Sequence, residues 1–352
     1  MSEETNASKK FSLSSGWGNI LGRFLALIVV FAFFAIYVHY KGGNFCSARN
    51  LETLLRQSCV YATAGLGMTM IIIAAGIDLS AGSLIALSVV TVAYVMSIQV
   101  PGADGQPQAY ATLHPTLAPI LAAGAAILIS TLAGLTNGAM VVGLRLLPFI
   151  VTLGTMGMIR GLAKGVAKER DIYPPEETWI NTIMDPTFTN AARKWQILPT
   201  GVWILLVGVL VSSFLLRYTR LGRHIFAVGS NEETARLCGV PVGRTKLFVY
   251  MAGGFFCGLA GLMQFSYIGG IGQPASAITY ELFVIAAVII GGASFSGGEG
   301  SILGTIIGAL MITVLYMGGQ QVGWPKWVQE MVIGGIIIVA VALDRLRHRK
   351  VA

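Results

Sequence analysis

Charged side chains are scarce in this sequence of 352 residues: Asp, Glu, Lys and Arg make up 11% of it, while hydrophobic residues make up 55%. Soluble domains carry about 25% charged residues, so the composition excludes an ordinary soluble protein. Apolar runs of about 20 residues, the length that crosses a bilayer as a helix, recur along nearly the whole chain. The sequence therefore predicts a polytopic α-helical membrane protein of the all-α class.

Motifs for catalysis and for nucleotide binding are also absent. The chain contains no HExxH, no GxSxG and no GxxxxGK[ST], so it lacks the signatures of the corresponding hydrolases and of P-loop ATPases. No basic patch with interleaved aromatic residues indicates nucleic-acid binding, and the net charge of +8 favours anionic lipid headgroups instead. The four cysteines show neither CxxC nor metal-ligand spacing. We therefore predict a protein that is not an enzyme and holds no cofactor or metal.

Ten apolar segments meet the length criterion for a membrane span. They place a transmembrane domain at 24–344, between an N-terminal segment at 1–23 and a basic tail at 345–352. No small-residue cleavage site follows the first run, which favours an uncleaved span over a signal peptide. The ten segments lie at 24–40, 53–75, 79–99, 117–141, 147–166, 199–216, 247–269, 281–297, 300–318 and 327–343.

Lysine and arginine placement predicts the orientation. An even number of spans puts both termini on one side of the membrane. Basic residues are dense in the tail and in the polar connection at 217–246. We therefore predict that both termini and 217–246 face the cytoplasm, while the polar connections at 100–116 and 167–198 face outward.

The stretch AAGIDLSAGS at 74–83 carries Asp78, the only charged side chain between Arg56 and Asp104. Its small residues allow close backbone approach or an unwound helix, which is tolerated within a membrane only against protein or water. Asp78 is expected either to cap the third span as a structural pin or to act as a gate or direct solute contact. The motif of this broken helix comprises Gly76, Asp78, Ser80, Gly82 and Ser83.

NEETARLCGVP, inside the 217–246 connection, has the marks of a short helix in water. Asn231 can cap its N-terminus, and two glutamates in the first turn complement the helix dipole. Gly239 suits the left-handed position after the last turn, and Pro241 prevents continuation. Two turns of helix are unstable alone, so the sequence predicts a packing partner. An ordinary amphipathic connector at the membrane surface is the alternative.

A second glycine-rich stretch, GGASFSGGEGS, lies at 291–301. No lysine follows at P-loop spacing, so phosphate binding is a poor fit. We predict a tight turn between two helices, in which Glu299 caps the ninth span.

Four blocks of the sequence, in order, resemble the permease subunits of bacterial ABC importers for monosaccharides of the ribose, galactose and arabinose type. The blocks are GIDLSAGS at 76–83, NGAMVVGLRLLPFIVTLGTMGMIRGLA at 137–163, GRHIFAVGSNEETARLCGVPVGRTK at 222–246 and YELFVIAAVIIGGASFSGGEGSILGTIIGAL at 280–310. The likeness runs from about Asn44 to Asp344. Ala81 stands where valine is common in the family.

The resemblance implies a fold of about ten transmembrane helices, similar to the vitamin B12 permease type of ABC importer. It implies a bacterial inner-membrane subunit that moves a monosaccharide or small polyol. Cytoplasmic ATPases would drive it, a periplasmic binding protein would deliver sugar, and a second identical or related permease would complete the path. A non-ABC solute carrier or channel is the alternative. The coupling helix that the ATPase receives would comprise Asn231, Glu232, Glu233, Ala235, Arg236, Gly239 and Val240.

Neutral polar residues of the spans are expected along the translocation path, because a sugar needs uncharged hydrogen-bonding partners. Each of them can equally join one helix to another. Phe149 follows a proline and can line or plug the path, or pack in the core. The candidate path residues are Asn137, Phe149, Thr152, Thr155 and Gln264.

Overall fold

The computed structural model describes residues 13–102, 106–187 and 197–349. Regular structure in this part of the chain is helical except for one antiparallel ribbon, which pairs β1 (Gln99–Pro101) with β2 (Pro107–Ala109). The first twelve residues of the predicted N-terminal segment and the last three of the predicted tail lie outside the described residues. The all-α prediction is confirmed.

The helices follow one another along the chain, and the longest connection lies between α6 and α7. Their bounds are α1 Leu13–Tyr40, α2 Ala48–Ile73, α3 Ala81–Met96, α4 Tyr110–Leu113, α5 Leu117–Gly143, α6 Pro148–Val166, α7 Thr200–Tyr218, α8 Arg220–Ser230, α9 Glu232–Leu237, α10 Val242–Tyr267, α11 Tyr280–Ile290, α12 Ile302–Val322 and α13 Lys326–Arg349.

Six of the described helices are long and apolar enough to cross a membrane: α1, α5, α6, α7, α10 and α12. The chain is therefore a multi-pass α-helical membrane protein. Each of the ten predicted segments overlaps a helix, although those at 79–99 and 281–297 extend beyond α3 and α11, and four of the ten helices fall outside the criteria. Among the four, α3 and α11 are apolar but have 16 and 11 residues. At 1.5 Å per residue they measure about 24 and 16 Å, less than the hydrocarbon core of about 30 Å.

The centre of the molecule is a packet of α2, α3, α5 and α10. In the most apolar stretch of α10, 72% is buried inside the protein, whereas the corresponding value for α1 is 6%. Helix α1 therefore lies at the periphery. Small polar side chains join the packet: Ser130 Oγ donates to Gly254 O at 2.8 Å, and Thr69 Oγ1 lies 2.6 Å from Thr305 Oγ1 of α12. Such contacts hold helices together in lipid, where burial of apolar surface provides no drive between helices.

One end of the bundle, where α10 ends, is covered by the connection after α6. Ser266 Oγ of α10 donates to Asn181 O at 2.6 Å and accepts from Met184 N at 2.8 Å. Ile172 pairs with Gly272 in an isolated β-bridge. We call this end the far end and the opposite one, which carries α9, the α9 end.

Three local predictions differ from the structure. Helix α1 begins at Leu13, before the predicted apolar run. The 217–246 connection holds α8 as well as the expected short helix, because Thr219 caps a strongly amphipathic segment by accepting from Gly222 N at 3.1 Å. The capping role predicted for Glu299 is wrong: Ser301 caps α12, accepting from Gly304 N at 3.3 Å, since it directly precedes the first turn.

Candidate functional site

The 74–80 loop joins α2 to α3 inside the bundle. Two residues after the end of α2, Ala75 has the left-handed conformation (φ 58°) that glycine usually provides. Ala75 N and Gly76 N then donate to Ile72 O and Ile71 O, both at 2.9 Å, which satisfies the last carbonyls of the helix. Gly76 serves close approach instead, because a Cβ there would lie 2.8 Å from Tyr250 Oη.

Asp78 is 1% exposed and ties this loop into a turn. Its Oδ1 accepts from Ser80 N at 2.8 Å and from Ser80 Oγ at 2.5 Å. Ser80 itself holds the N-cap position of α3, so Asp78 does not cap that helix as predicted. Asp78 instead stabilises the turn before α3, because an aspartate side chain readily accepts a hydrogen bond from the amide of the second residue after it.

Side chains from three other helices hold the same loop. Asn137 Nδ2 of α5 donates to Ser80 Oγ at 2.9 Å, and Tyr250 Oη of α10 donates to Ile77 O at 3.2 Å. Thr152 Oγ1 of α6 lies 3.3 Å from the same carbonyl and 2.9 Å from Pro148 O of its own helix. Sequence reasoning missed Tyr250, which no motif marks. Hydrogen bonds from neighbouring helices therefore hold the 74–80 loop in place and satisfy backbone groups that no helix pairs.

The candidate path residues do not converge on one site. Asn137 and Thr152 bind the 74–80 loop, while Thr155 Oγ1 donates to Thr152 O within its own helix at 3.3 Å. Phe149 is 51% exposed on α6, and Gln264 lies near the far end of α10 beside Tyr280.

The 268–279 segment is a second, longer stretch without helix, between α10 and α11. It runs beside α3 in the opposite direction: Gly272 lies against Ala93, and Ala277 O would be 2.6 Å from a Cβ at Gly82. Residues 274–279 of the segment form turns, in which Ser276 N donates to Gln273 O at 3.0 Å. Gly82 is required here because any side chain would strike the segment.

Arg160 of α6 supplies partners for the carbonyls of this segment. Its Nη1 donates to Ser276 O at 2.6 Å and to Pro274 O at 3.1 Å, and its Nη2 donates to Ala277 O at 3.3 Å. Unpaired carbonyls at membrane depth cost several kcal/mol each. Sequence reasoning did not single out Arg160, although a charge inside a predicted span was the available signal.

Helix α9 at the opposite end has the predicted start and stop. Asn231 Oδ1 accepts from Thr234 N at 2.8 Å. Gly239 has φ +80°, and Gly239 N and Val240 N donate to Arg236 O and Ala235 O at 3.0 Å each, which is the Schellman arrangement. Glu232 in the first turn pairs with the side chains of Arg236 and Lys246, while Glu233 is exposed.

One side of α9 packs and the other is open. Ala235 joins Val228 and Val242 in a small apolar cluster against α8 and α10. Leu237 points away from that cluster and is 89% exposed, the highest value among the large apolar side chains that the structure describes. Sequence reasoning missed Leu237, although a single leucine in an otherwise polar and well-capped helix could have marked it.

The end of α8, directly before α9, touches the end of α2. Gly298 N donates to Ile73 O at 2.9 Å, and a Cβ at Gly229 would strike both Ile73 O and Gly298 N. The backbones of α8, of the 74–80 loop and of the 291–301 turn therefore meet at one point near Ala75.

Comparison with known proteins identifies the family. Residues 50–341 match the family described as "Branched-chain amino acid transport system / permease component". The chain belongs to this permease family. No solved structure matches the permease.

Curated relatives of the permease are named for sugars. The chain is 32% identical to the ribose import permease protein of Escherichia coli (strain K12), over 99% of its own length and 100% of the relative. It is 32% identical to the D-allose transport system permease protein of the same strain, covering 97% and 96% of the two chains. The galactose/methyl galactoside import permease protein of that strain is 31% identical, over 94% and 95%. The resemblance drawn from sequence blocks is confirmed, and the permease is a membrane transport subunit.

Proposed function

We propose that the permease forms the membrane path of an ATP-driven importer that moves a monosaccharide or similar small polyol from periplasm to cytoplasm. Separate ATPase subunits supply the energy, and a periplasmic binding protein delivers the solute. A second permease, identical or related, completes the path. The observation that carries this proposal is the nearly end-to-end likeness to import permeases named for three different sugars.

The proposed architecture has ten spans, similar to the vitamin B12 permease type, in the bacterial inner membrane. Its support is that each of the ten predicted segments overlaps a helix. With both termini in the cytoplasm, α9 and the basic tail at 345–352 lie inside and the far end faces the periplasm. Ser230 is exposed at the α9 end, so Ser230→Cys in a cysteine-free chain tests the orientation. Labelling of that cysteine by an impermeant maleimide in intact cells would contradict the proposed orientation and place the α9 end in the periplasm.

Helix α9, within residues 231–240, is proposed to be the segment that the ATPase receives. A six-residue helix needs outside contacts to persist, and its inner side already has them through Ala235. The exposed Leu237 gives the outer side an apolar anchor for a groove on the ATPase, since a single buried apolar side chain is worth about 1.5–3 kcal/mol.

Transport is tested with permease, ATPase and binding protein from the same operon in proteoliposomes. ATP-dependent uptake of labelled D-ribose, D-allose or D-galactose is the expected result. Leucine serves as the matched probe, because the family description names branched-chain amino acids. Uptake of leucine but of no sugar would refute the substrate class, and uptake without the ATPase would favour a carrier or channel.

Coupling is tested by co-purification of the ATPase with permease variants. Leu237→Ser should weaken docking about tenfold or more, while Leu144→Ser, which alters a leucine that is 64% exposed in the connection before α6, should leave docking intact. Gly239→Val should have the same effect as Leu237→Ser, because a β-branched residue resists the left-handed conformation that ends α9. Normal docking of both the Leu237→Ser and Gly239→Val permeases would exclude α9.

A further inference from the structure

A polar cavity of about 210 Å³ opens at the far end, beside the 268–279 segment. This volume is sufficient for one monosaccharide. Helices α10, α11, α12 and α13 complete its wall. Gln264 in that wall lies 22 residues along α10 from Val242, a rise of about 33 Å from the α9 end.

We propose that this cavity is a binding site for one polyhydroxyl solute of monosaccharide size, occupied before the solute moves toward the α9 end. The inference rests on the proposed function and adds to it the residues that contact the solute. The decisive residues are Gln264 and Tyr280, which bring neutral hydrogen-bonding groups of α10 and α11 to one space.

Gln264 and Tyr280 give the strongest indication of a ligand. Gln264 is 4% exposed, and its Oε1 has only a 3.5 Å contact with Tyr280 Oη, at the limit of hydrogen-bond distance. The Oγ of Ser276, by contrast, is fully buried within the wall without a hydrogen-bond partner, so it does not face the cavity.

Aromatic rings form the apolar part of the wall. Tyr280 and Phe283 stack at 6.1 Å between ring centroids, and Phe283 meets Tyr316 at 5.6 Å. Ligand sites commonly combine such rings with a few converging polar groups. A sugar presents both kinds of surface, since its hydroxyls lie around a ring whose faces carry C–H groups.

Charge in the cavity argues against an ionic ligand. The charged lining residues, Lys326 and Glu330, are both exposed side chains of α13 with opposite sign. The described residues contain no group of three His, Cys, Asp or Glu that could hold a metal ion. The enclosed polar groups are neutral, which fits a neutral solute.

The backbone beside the cavity is held in an unfavourable conformation. Ala277 and Thr279 both line it and have positive φ, 55° and 70°. Such a conformation is unusual for a β-branched residue, and local strain clusters where a protein contacts a ligand. Non-helical backbone at membrane depth is tolerated where it borders a cavity.

The first test is protection from labelling, which does not require transport. Ala275 is exposed in the cavity wall, so Ala275→Cys in a cysteine-free permease bound to its ATPase can be labelled with a maleimide. D-Ribose, D-allose or D-galactose at millimolar concentration should slow labelling at least about threefold, whereas leucine should not. Absence of protection by all three sugars, or protection by leucine alone, would overturn the proposal.

The second test is uptake by the complete transporter at saturating sugar and binding protein. Gln264→Leu with Tyr280→Phe should lower the maximal rate about five- to tenfold, from two lost hydrogen bonds of about 1 kcal/mol each. Ser212→Ala is the control, because Ser212 of α7 is also a buried neutral polar side chain but lies outside the cavity. Uptake equal to wild type in the double variant would contradict a solute-contacting role.

The two tests separate the proposals. A wild-type transporter that moves none of the sugars refutes the proposed function, but protection of Ala275→Cys by a sugar would still establish the site. Normal uptake by wild type, combined with no protection and no effect of the double variant, refutes the site alone.

Discussion

The 74–80 loop and the 268–279 segment both interrupt helices inside the bundle, and they are held in different ways. The first is short and is tied by its own Asp78 together with neutral side chains from α5, α6 and α10. The second is longer, and the side chain of Arg160, from a helix more than a hundred residues earlier, donates to three of its carbonyls.

The difference shows that the length of a non-helical stretch determines where its backbone groups find hydrogen-bond partners. A loop of seven residues can satisfy much of its backbone locally, by an Asx-type turn and by the ends of the helices that it joins. A longer segment of turns beside a helix leaves several carbonyls without helical partners, and a guanidinium with five donors satisfies several of them together. Variants at each site turn this comparison into measurements.

The largest effect is expected for Arg160→Met. It leaves three carbonyls of the 268–279 segment without their donor, at several kcal/mol each within the membrane. Folded permease, measured by fluorescence-detected size exclusion in detergent, should fall more than about tenfold. Arg170→Met is the control, because Arg170 is exposed in the connection after α6. Wild-type levels of folded Arg160→Met would mean that the segment needs no side-chain support.

The next effect separates two variants of Asp78. Asp78→Leu removes the acceptor for both groups of Ser80 and should also reduce the folded yield strongly. Asp78→Asn keeps a carbonyl oxygen and should retain most of the yield and the uptake, at a cost of about 1–2 kcal/mol. If Asp78→Asn folds normally but takes up no sugar, the carboxylate has a role in transport beyond tying the loop.

Gly229→Ala should disturb the point where α8 meets the end of α2 and the 291–301 turn, beside the 74–80 loop. An added methyl group would strike Ile73 O and Gly298 N, and relief of such overpacking costs about 1–3 kcal/mol. We expect a moderately lower folded yield and reduced uptake per ATP hydrolysed in proteoliposomes. Gly143→Ala, where a Cβ meets no atom within 4 Å, should match wild type; an equal loss in both would show that the contact is unimportant.

Tyr250→Phe should have the smallest effect. It removes one hydrogen bond to Ile77 O, a carbonyl that Thr152 Oγ1 can still reach at 3.3 Å by turning from Pro148 O. The expected loss is about 1 kcal/mol, seen as a small drop in the midpoint of thermal unfolding with uptake preserved. Tyr173→Phe, in an exposed tyrosine, should show no change. If Tyr250→Phe lowered the folded yield as much as Arg160→Met, the 74–80 loop would depend on side-chain support as strongly as the 268–279 segment does.

Features of the sequence that act over a few residues were predictable. The cap by Asn231 and the left-handed Gly239 follow from residue types whose backbone preferences are local. The loop around Asp78 was visible because a charge among Gly, Ser and Ala is rare in a span. Family resemblance then extended these local signals to the class of transporter.

Other features depend on distance in three dimensions and were not predictable from the pattern. Arg160 was visible as a charge, but its partners lie more than a hundred residues later in the chain. The segment around Gly272 continues without a polar run from the end of α10, so it was assigned no special role. Ala75 took the left-handed position expected of a glycine because packing, not local preference, decided the end of α2.

The contact between Arg160 and the 268–279 segment also has a consequence for movement. The planar guanidinium ties α6 to the connection between α10 and α11 through three carbonyls. A shift of α6 against α10 and α11 during transport would have to carry this segment along or break those hydrogen bonds together. We therefore expect α6 and the 268–279 segment to move as one rigid unit.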